Sequence, residues 1–285
     1  MGFGAKPLQY VVHGSTLGIN LENVAFTLKS RDRAMDTRLI AEDLLRSFLT
    51  SGGTVKMQTK VLSLERGYVL AQETTDDTLS RFYARHTILA AGKTTSTFDK
   101  SVHVFVSPIL VVHPALSDIN FVKMSPHTQD TINHICHRRN GLEYSVIGNA
   151  AYYDVQDFGA ESLERARSYM LGLGRKVFGD FDEKGADLFF GYKTEVVSSS
   201  FMRNYLYHIV DQGAYTIALP GKFTLCFSLA VNVCRHFGIE PVERVKLKNE
   251  EVRHYIEDPT HYRLAKQLAL KGNHATDLSN LRSEG

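Results

Sequence analysis

The sequence predicts an α/β fold carrying a mostly antiparallel insert, and three observations lead there. A stretch from Asp36 to Gly53 carries apolar residues at helical spacing and is followed by alternating runs that read as a three-stranded meander. Ile88-Leu89-Ala90-Ala91 is a short apolar run stopped by Gly92, the pattern of a strand buried on both faces. After Gly92 no helix is predicted for roughly sixty residues, so a second sheet is inserted into the first.

Each element has its own signal. Leu8 to His13 and Asn23 to Leu28 read as strands. Asp36 is placed to cap a helix whose stripe is Leu39, Ile40, Leu44, Leu45, Phe48 and Leu49, and Gly52-Gly53 end it. Thr54 to Glu65 alternates through Val55, Met57, Thr59 and Val61 and then changes phase at Leu62 and Leu64, as a bulge would require. Tyr68 to Glu73 and Leu79 to Ala84 complete the meander. Strands are expected at Val102 to Val112 and Phe121 to Met124, with a further pair around Leu142 to Gly148.

Glu161 to Phe178 is an amphipathic helix weakened by Gly172 and Gly174. Leu188 to Val197, Tyr205 to Val210 and Ala214 to Leu219 are strand-like. Leu225 to Phe237 is apolar enough to be buried against a sheet, Val242 to Leu247 is strand-like, and the polar end is expected to be peripheral. The predicted organisation is therefore four segments. Residues 1–100 form one domain with its meander, 101–198 an interleaved antiparallel substrate domain, 199–240 the return to the first domain, and 241–285 the C-terminal segment.

Composition narrows the function. With 33 Lys and Arg against 31 Asp and Glu, the charge balance makes no case for nucleic acid. Three cysteines, Cys136, Cys226 and Cys234, form no CxxC pair, which suits a reducing, cytoplasmic compartment, and no apolar run is long enough for a membrane span. His134-x-Cys136-His137 supplies no tetrahedral set, so no metal is expected and these histidines read as surface or polar-core residues. Cys226 and Cys234 read as packing cysteines.

Two strand ends carry the chemistry. Ala90-Ala91-Gly92 and Leu219-Pro220-Gly221 each stop an apolar strand with glycine, and the second runs into a helix whose first-turn amides would be open to an electron-rich ligand. Such ends also occur as ordinary turns between strand and helix. The order helix, meander, strand, Ala-Gly is the layout of one half of a dinucleotide-binding, Rossmann-like domain.

The span from Asp36-Thr37-Arg38-Leu39-Ile40-Ala41-Glu42-Asp43-Leu44-Leu45 through Gly53, Thr59-Lys60-Val61 and Ile88-Leu89-Ala90-Ala91-Gly92 resembles the middle of FAD-dependent oxidoreductases of the D-amino-acid oxidase superfamily. Gly191-Tyr192-Lys193-Thr194-Glu195 and Pro220-Gly221-Lys222-Phe223-Thr224 resemble that family's substrate-side strand and flavin-contacting helix start. The resemblance implies FAD as cofactor and oxidation of a small amine, amino acid or hydroxy acid. It places Val61 at the adenine, Ala91, Gly92 and Lys93 at the pyrophosphate or flavin side, and Pro220, Gly221, Lys222, Phe223 and Thr224 at the isoalloxazine. Tyr192, Lys193 and Arg203 would face a small-molecule substrate, the two cations as candidates for a carboxylate.

The family's opening strand and GxGxxG phosphate loop have no counterpart near Met1, so about the first hundred residues of such an enzyme are expected to be absent. The chain thus resembles the distal portion of one, an incomplete FAD-binding domain whose phosphate loop a partner chain could supply. The alternative is a non-catalytic or truncated remnant, or a subunit completing another flavoprotein.

Overall fold

The computed structural model describes residues 19–20, 24, 27, 34–125, 130–149, 152–154, 158–196, 206–240 and 251–280. The strands expected at Leu8 to His13 and Val242 to Leu247, and nearly all of Asn23 to Leu28, lie outside the described residues.

In chain order the elements are α1 (Thr37–Thr50), β1 (Thr59–Glu65), β2 (Tyr68–Glu73), β3 (Leu79–Tyr83), β4 (Ile88–Leu89), α2 (Thr95–Phe98) and β5 (Val102–Val112). There follow β6 (Phe121–Lys123), β7 (Ile132–Arg139), β8 (Leu142–Asn149), β9 (Tyr153–Asp154), α3 (Ala160–Phe178) and β10 (Ala186–Val196). The chain ends with β11 (His208–Asp211), β12 (Thr216–Leu219), α4 (Cys226–His236) and α5 (Thr260–Asn280). Mixed α/β structure with several antiparallel sheets is what the sequence predicts.

Two compact units emerge. One comprises residues 39–105 and 192–257; the other comprises 1–38, 106–191 and 258–285.

In the first unit the meander β1-β2-β3 is antiparallel throughout. Its register slips between Val61 and Ser63, where the alternation changes phase. A second sheet has the order β11-β12-β4, and β12 runs parallel to β4 with Thr216 opposite Ile88 and Ile217 opposite Leu89. One cluster joins Leu89, Val102, Ile217 and Leu219 with Leu64 and Phe98, and another sets Ala218 against Leu229 and Val233 of α4. That second contact limits the expectation for α4. Only its Leu229 and Val233 are buried and Phe227 is half exposed, because the sheet covers one side of the helix.

The helix α1 departs further. Asp36 caps it as predicted, accepting from the Arg38 amide at 3.0 Å. Its apolar stripe is nevertheless largely uncovered, with Leu39, Leu44 and Phe48 about half exposed and Glu42 the residue that is buried. Spacing reveals an amphipathic helix but not what lies on its apolar face.

In the second unit the sheet order is β10-β5-β8-β7-β6, with β9 on β5. β7 and β8 form a hairpin around Asn140-Gly141, both at positive φ (51° and 77°). That Asn-Gly pair is the turn chemistry a two-residue hairpin needs, and it marks β7, a strand that its polar residues conceal. α3 contributes Met170, Leu171, Leu173 and Val177 to a cluster with Leu110, Ile132 and Ile147. Gly174 does not merely weaken this helix; a Cβ there would stand 3.1 Å from the Phe181 ring, so the glycine permits close packing.

The polar C-terminal segment is not peripheral in this unit. Tyr262, Ala265 and Leu268 of α5 pack with Val111 and Tyr144. Three apolar residues at i, i+3 and i+6 suffice to bury a narrow stripe of an otherwise polar helix.

Candidate functional site

The parallel pairing of β4 and β12 brings their C-terminal ends side by side. Beyond β4 the chain turns at Gly92 (φ 54°), and beyond β12 at Gly221 (φ 63°), both in the left-handed region that glycine enters without steric cost. A Cβ on Gly92 would meet nothing within 4 Å, so open space faces the backbone there. A cavity of about 530 Å³ opens at these two ends, within the range of small-molecule and cofactor sites.

Its floor is the end of β4 (Ile88, Ala90, Gly92) and the end of β12 with Pro220 and Gly221; Lys222 and Phe223 follow. Tyr192, Lys193 and Thr194 of β10 form a second side. Cys226, Leu229, Ala230 and Val233 of α4 form a third. These four share one helix face at spacings of three and four residues, a signal the sequence carries and the reading of α4 as packing core passes over. The wall they make is apolar. Among the described lining residues the charged ones are Lys193 and Lys222, with no carboxylate, so the cavity favours a neutral or anionic occupant over a cation.

The turn after β4 is short and tied down. Gly92–Thr94 forms a single 3₁₀ turn with Ala91 at its start, and α2 follows at once. Tyr215 donates its hydroxyl to the Phe98 carbonyl at 3.1 Å, and Gln212 donates to Asp99. The Ser101 hydroxyl, bonded to Asp99 at 2.6 Å, holds that carboxyl below its usual range. Neighbouring loops thereby fix the segment that presents Gly92.

At the other end the amides are less open than the sequence suggests. Lys222 N–H donates to the Pro220 carbonyl at 2.6 Å, Leu225 N–H to Lys222 at 3.0 Å, and Cys226 N–H to Phe223. Helix geometry leaves the amides of Phe223 and Thr224, the first two of the turn, for an outside acceptor.

Most of the predicted positions gather here. Gly92, Tyr192, Lys193, Pro220, Gly221, Lys222 and Phe223 line the cavity. Ala91, Lys93 and Thr224 adjoin it in sequence. The Lys93 ammonium lies 4.1 Å from the Tyr192 ring centroid, a cation–π contact that orients both side chains. Val61 sits at the β1 bulge and is not among the lining residues. Arg203 lies outside the described residues.

Against known proteins, no family model matches the sequence and no curated protein matches it. Solved structures do match. A glycerol-3-phosphate dehydrogenase from Bacillus halodurans complexed with FAD superposes with a TM-score of 0.61 at 16% identity, over 82% of this chain and 51% of that one. The chain shares the fold of this FAD-complexed dehydrogenase. It spans about half of that protein's length. Weaker matches are an L-α-glycerophosphate oxidase from Mycoplasma pneumoniae with FAD bound (TM-score 0.49, 13% identity, 76% and 59% of the two chains) and an FAD-dependent oxidoreductase from Pseudomonas aeruginosa (TM-score 0.46, 18% identity, 73% and 60%).

Among the described residues, no group of three or more His, Cys, Asp or Glu is arranged to hold a metal ion. No described helix is long and apolar enough to cross a membrane.

Proposed function

We propose that this chain is the distal part of an FAD-dependent oxidoreductase that oxidises a small amino acid, hydroxy acid or amine. The observation that carries the reading is the parallel pairing of Ile217 with Leu89, which sets Gly92 and Gly221 at one end of one sheet, opening on one cavity. The residues present fit a flavin. Space at the Gly92 Cβ position allows a flat ring to approach the backbone, and the α4 face gives it an apolar wall.

A flavin held there would supply the two-electron redox chemistry for oxidation at a substrate carbon. The chain's own groups bind and orient. Ala91, Gly92 and Lys93 would hold the pyrophosphate or flavin side, and Pro220, Gly221, Lys222, Phe223 and Thr224 the isoalloxazine end. There the Phe223 and Thr224 amides, at the start of the turn leading into α4, favour negative charge on the ring. Val61 would meet the adenine through its backbone. Lys193 would bind a substrate carboxylate, with Tyr192 beside it excluding water from the reacting carbon. Arg203 is the second candidate for that carboxylate.

A second reading starts from the match to only about half of the FAD-complexed dehydrogenase. On it the chain is non-catalytic by itself, or a subunit that completes another flavoprotein, and a partner chain provides the phosphate loop. One experiment separates the two. A visible spectrum of the purified chain, alone and after addition of FAD, should show bound flavin near ~450 nm on the first reading. Protein that stays colourless with added FAD would decide for the second.

A further inference from the structure

In the unit containing α5, a set of titratable groups lies between that helix and the β7–β8 hairpin. His137 and Tyr144 are direct cross-strand partners and their rings stack, with centroids 5.2 Å apart and planes 10° from parallel. From α5, His261 reaches into this pair. Its Nδ1 lies 3.0 Å from the Tyr144 hydroxyl and its ring 4.7 Å from that of His137. Phe189 of β10 closes the arrangement at 6.2 Å from His261.

We propose that His137, Tyr144 and His261 form an acid-sensitive latch that holds α5 on the sheet while both imidazoles are neutral and releases it when they take up protons. The inference is independent of the flavin reading.

The hydrogen bond sets the polarity of the device. Burial raises the Tyr144 hydroxyl well above its ordinary value, so the phenol keeps its proton and, with neutral His261 as its Nε2–H tautomer, donates it to Nδ1. A second proton on His261 goes to Nδ1 itself. The acceptor becomes a donor, so the phenol must give up its own donated bond and turn its O–H elsewhere before its oxygen can accept across the 3.0 Å contact. The resulting cation is enclosed beside His137 and near the Arg139 guanidinium.

The other charged groups around it do not cancel that cost. Arg139 binds Asp258 at 2.8 Å and lies 4.4 Å over the Tyr262 ring, while Arg38 is 3.6 Å from the same Asp258. Asp258 is therefore shared between two guanidiniums. Asp36 is the carboxylate that favours the protonated histidines, and burial outweighs it at both. His261 is lowered to about 4, by burial first and by His137 next; His137 is also lowered, by burial.

The sign follows. Both histidines bind protons less readily when α5 is docked than when it is free, so docking is strongest above pH ~6.5 and weakens as pH falls toward 4. Release uncovers the face of the sheet that Tyr262, Ala265 and Leu268 bury against Val111 and Tyr144.

Hydrogen exchange on the full chain at pH 7 and pH 5 tests the latch. After correction for intrinsic rates, the opening constant of α5 amides should rise about twentyfold at pH 5, with β7–β8 amides unchanged. In the His137→Gln/His261→Gln variant α5 should exchange equally at both pH values. Equal α5 protection of the wild type at both pH values overturns the proposal, as does a rise shared by helix and hairpin or a double variant that keeps the response. Should the variant fail to fold, the His261 ring titration followed by NMR in the wild type decides: a midpoint well below exposed imidazoles supports the latch, and one near 6.5 overturns it.

Discussion

Ile217 and Leu89 are opposite one another in parallel register, so two segments far apart in sequence leave one sheet at the same end. In open α/β sheets, ligands bind beyond the carboxyl ends of parallel strands, where the backbone turns away. The register therefore decides that Gly92 and Gly221 serve one cavity rather than two unrelated turns. A shift of one residue between β4 and β12 would reverse which side chains face the Leu64 cluster and the α4 cluster, so packing on both faces pins the register.

Gly221→Asp is expected to abolish flavin retention while leaving the chain soluble. It places a carboxylate beside the proposed ring site and puts a Cβ at φ 63°, a strain of roughly 1 kcal/mol or more. Thermal melting should shift by only a few degrees on that scale. Normal flavin absorbance in the purified variant would remove Gly221 from the site.

Lys193→Ala is expected to lower kcat/KM for a carboxylate-bearing substrate by about 10- to 100-fold, the cost of one charge-assisted hydrogen bond. A neutral substrate without a carboxylate should be nearly unaffected, and Lys193→Arg should restore part of the loss. The companion change Lys93→Met removes the cation–π contact with Tyr192, about 0.5–1 kcal/mol at an exposed site. Steady-state kinetics on the two substrate types checks the assignment; equal losses on both would place Lys193 in a merely structural role.

How much of this is legible in the sequence depends on which physical force fixes each element. The meander and the bulge after Val61 follow from alternation alone, because side chains can change face partway along a strand only where an extra residue enters one side of the pair. The two glycine ends are legible as turns, and their adjacency is not, since parallel pairing is set by long-range packing. β7 is hidden because His134, His137 and Arg138 interrupt the apolar alternation that marks a strand; the Asn140-Gly141 turn is the clue. The α4 wall of the cavity reads as buried core. Helical spacing shows which residues share a face, but not whether that face meets a sheet or a space.

Gly172 and Gly174 make a paired test of the packing in α3. Nothing lies within 4 Å of a Cβ at Gly172, so Gly172→Ala should stabilise by about 0.5–1 kcal/mol through helix propensity. At Gly174 the same change sets a methyl 3.1 Å from the Phe181 ring and 3.6 Å from Leu110. The gain should be cancelled or reversed there. Urea titration of both variants gives the comparison, and an equal stabilisation at the two sites would mean that Phe181 yields freely.

His134 tests the polar core of the same unit. It is fully buried, with Nδ1 2.8 Å from the Ile119 carbonyl and Nε2 2.8 Å from the Ser145 hydroxyl, which also accepts from Leu116 N–H at 2.8 Å. Nδ1–H donates to the carbonyl and the Ser145 O–H donates to Nε2, so one neutral tautomer satisfies every partner. His134→Leu should cost about 2–4 kcal/mol, because it strands a buried carbonyl and a hydroxyl. Burial lowers the His134 pKa despite the Ile119 bond, so the folded state binds fewer protons than the unfolded chain. The stability this gives is present above pH ~6.5 and declines as pH falls below it. Urea midpoints at pH 7 and pH 5 should therefore lie closer together in His134→Leu than in the wild type; an unchanged separation would exclude His134 as a source of acid sensitivity.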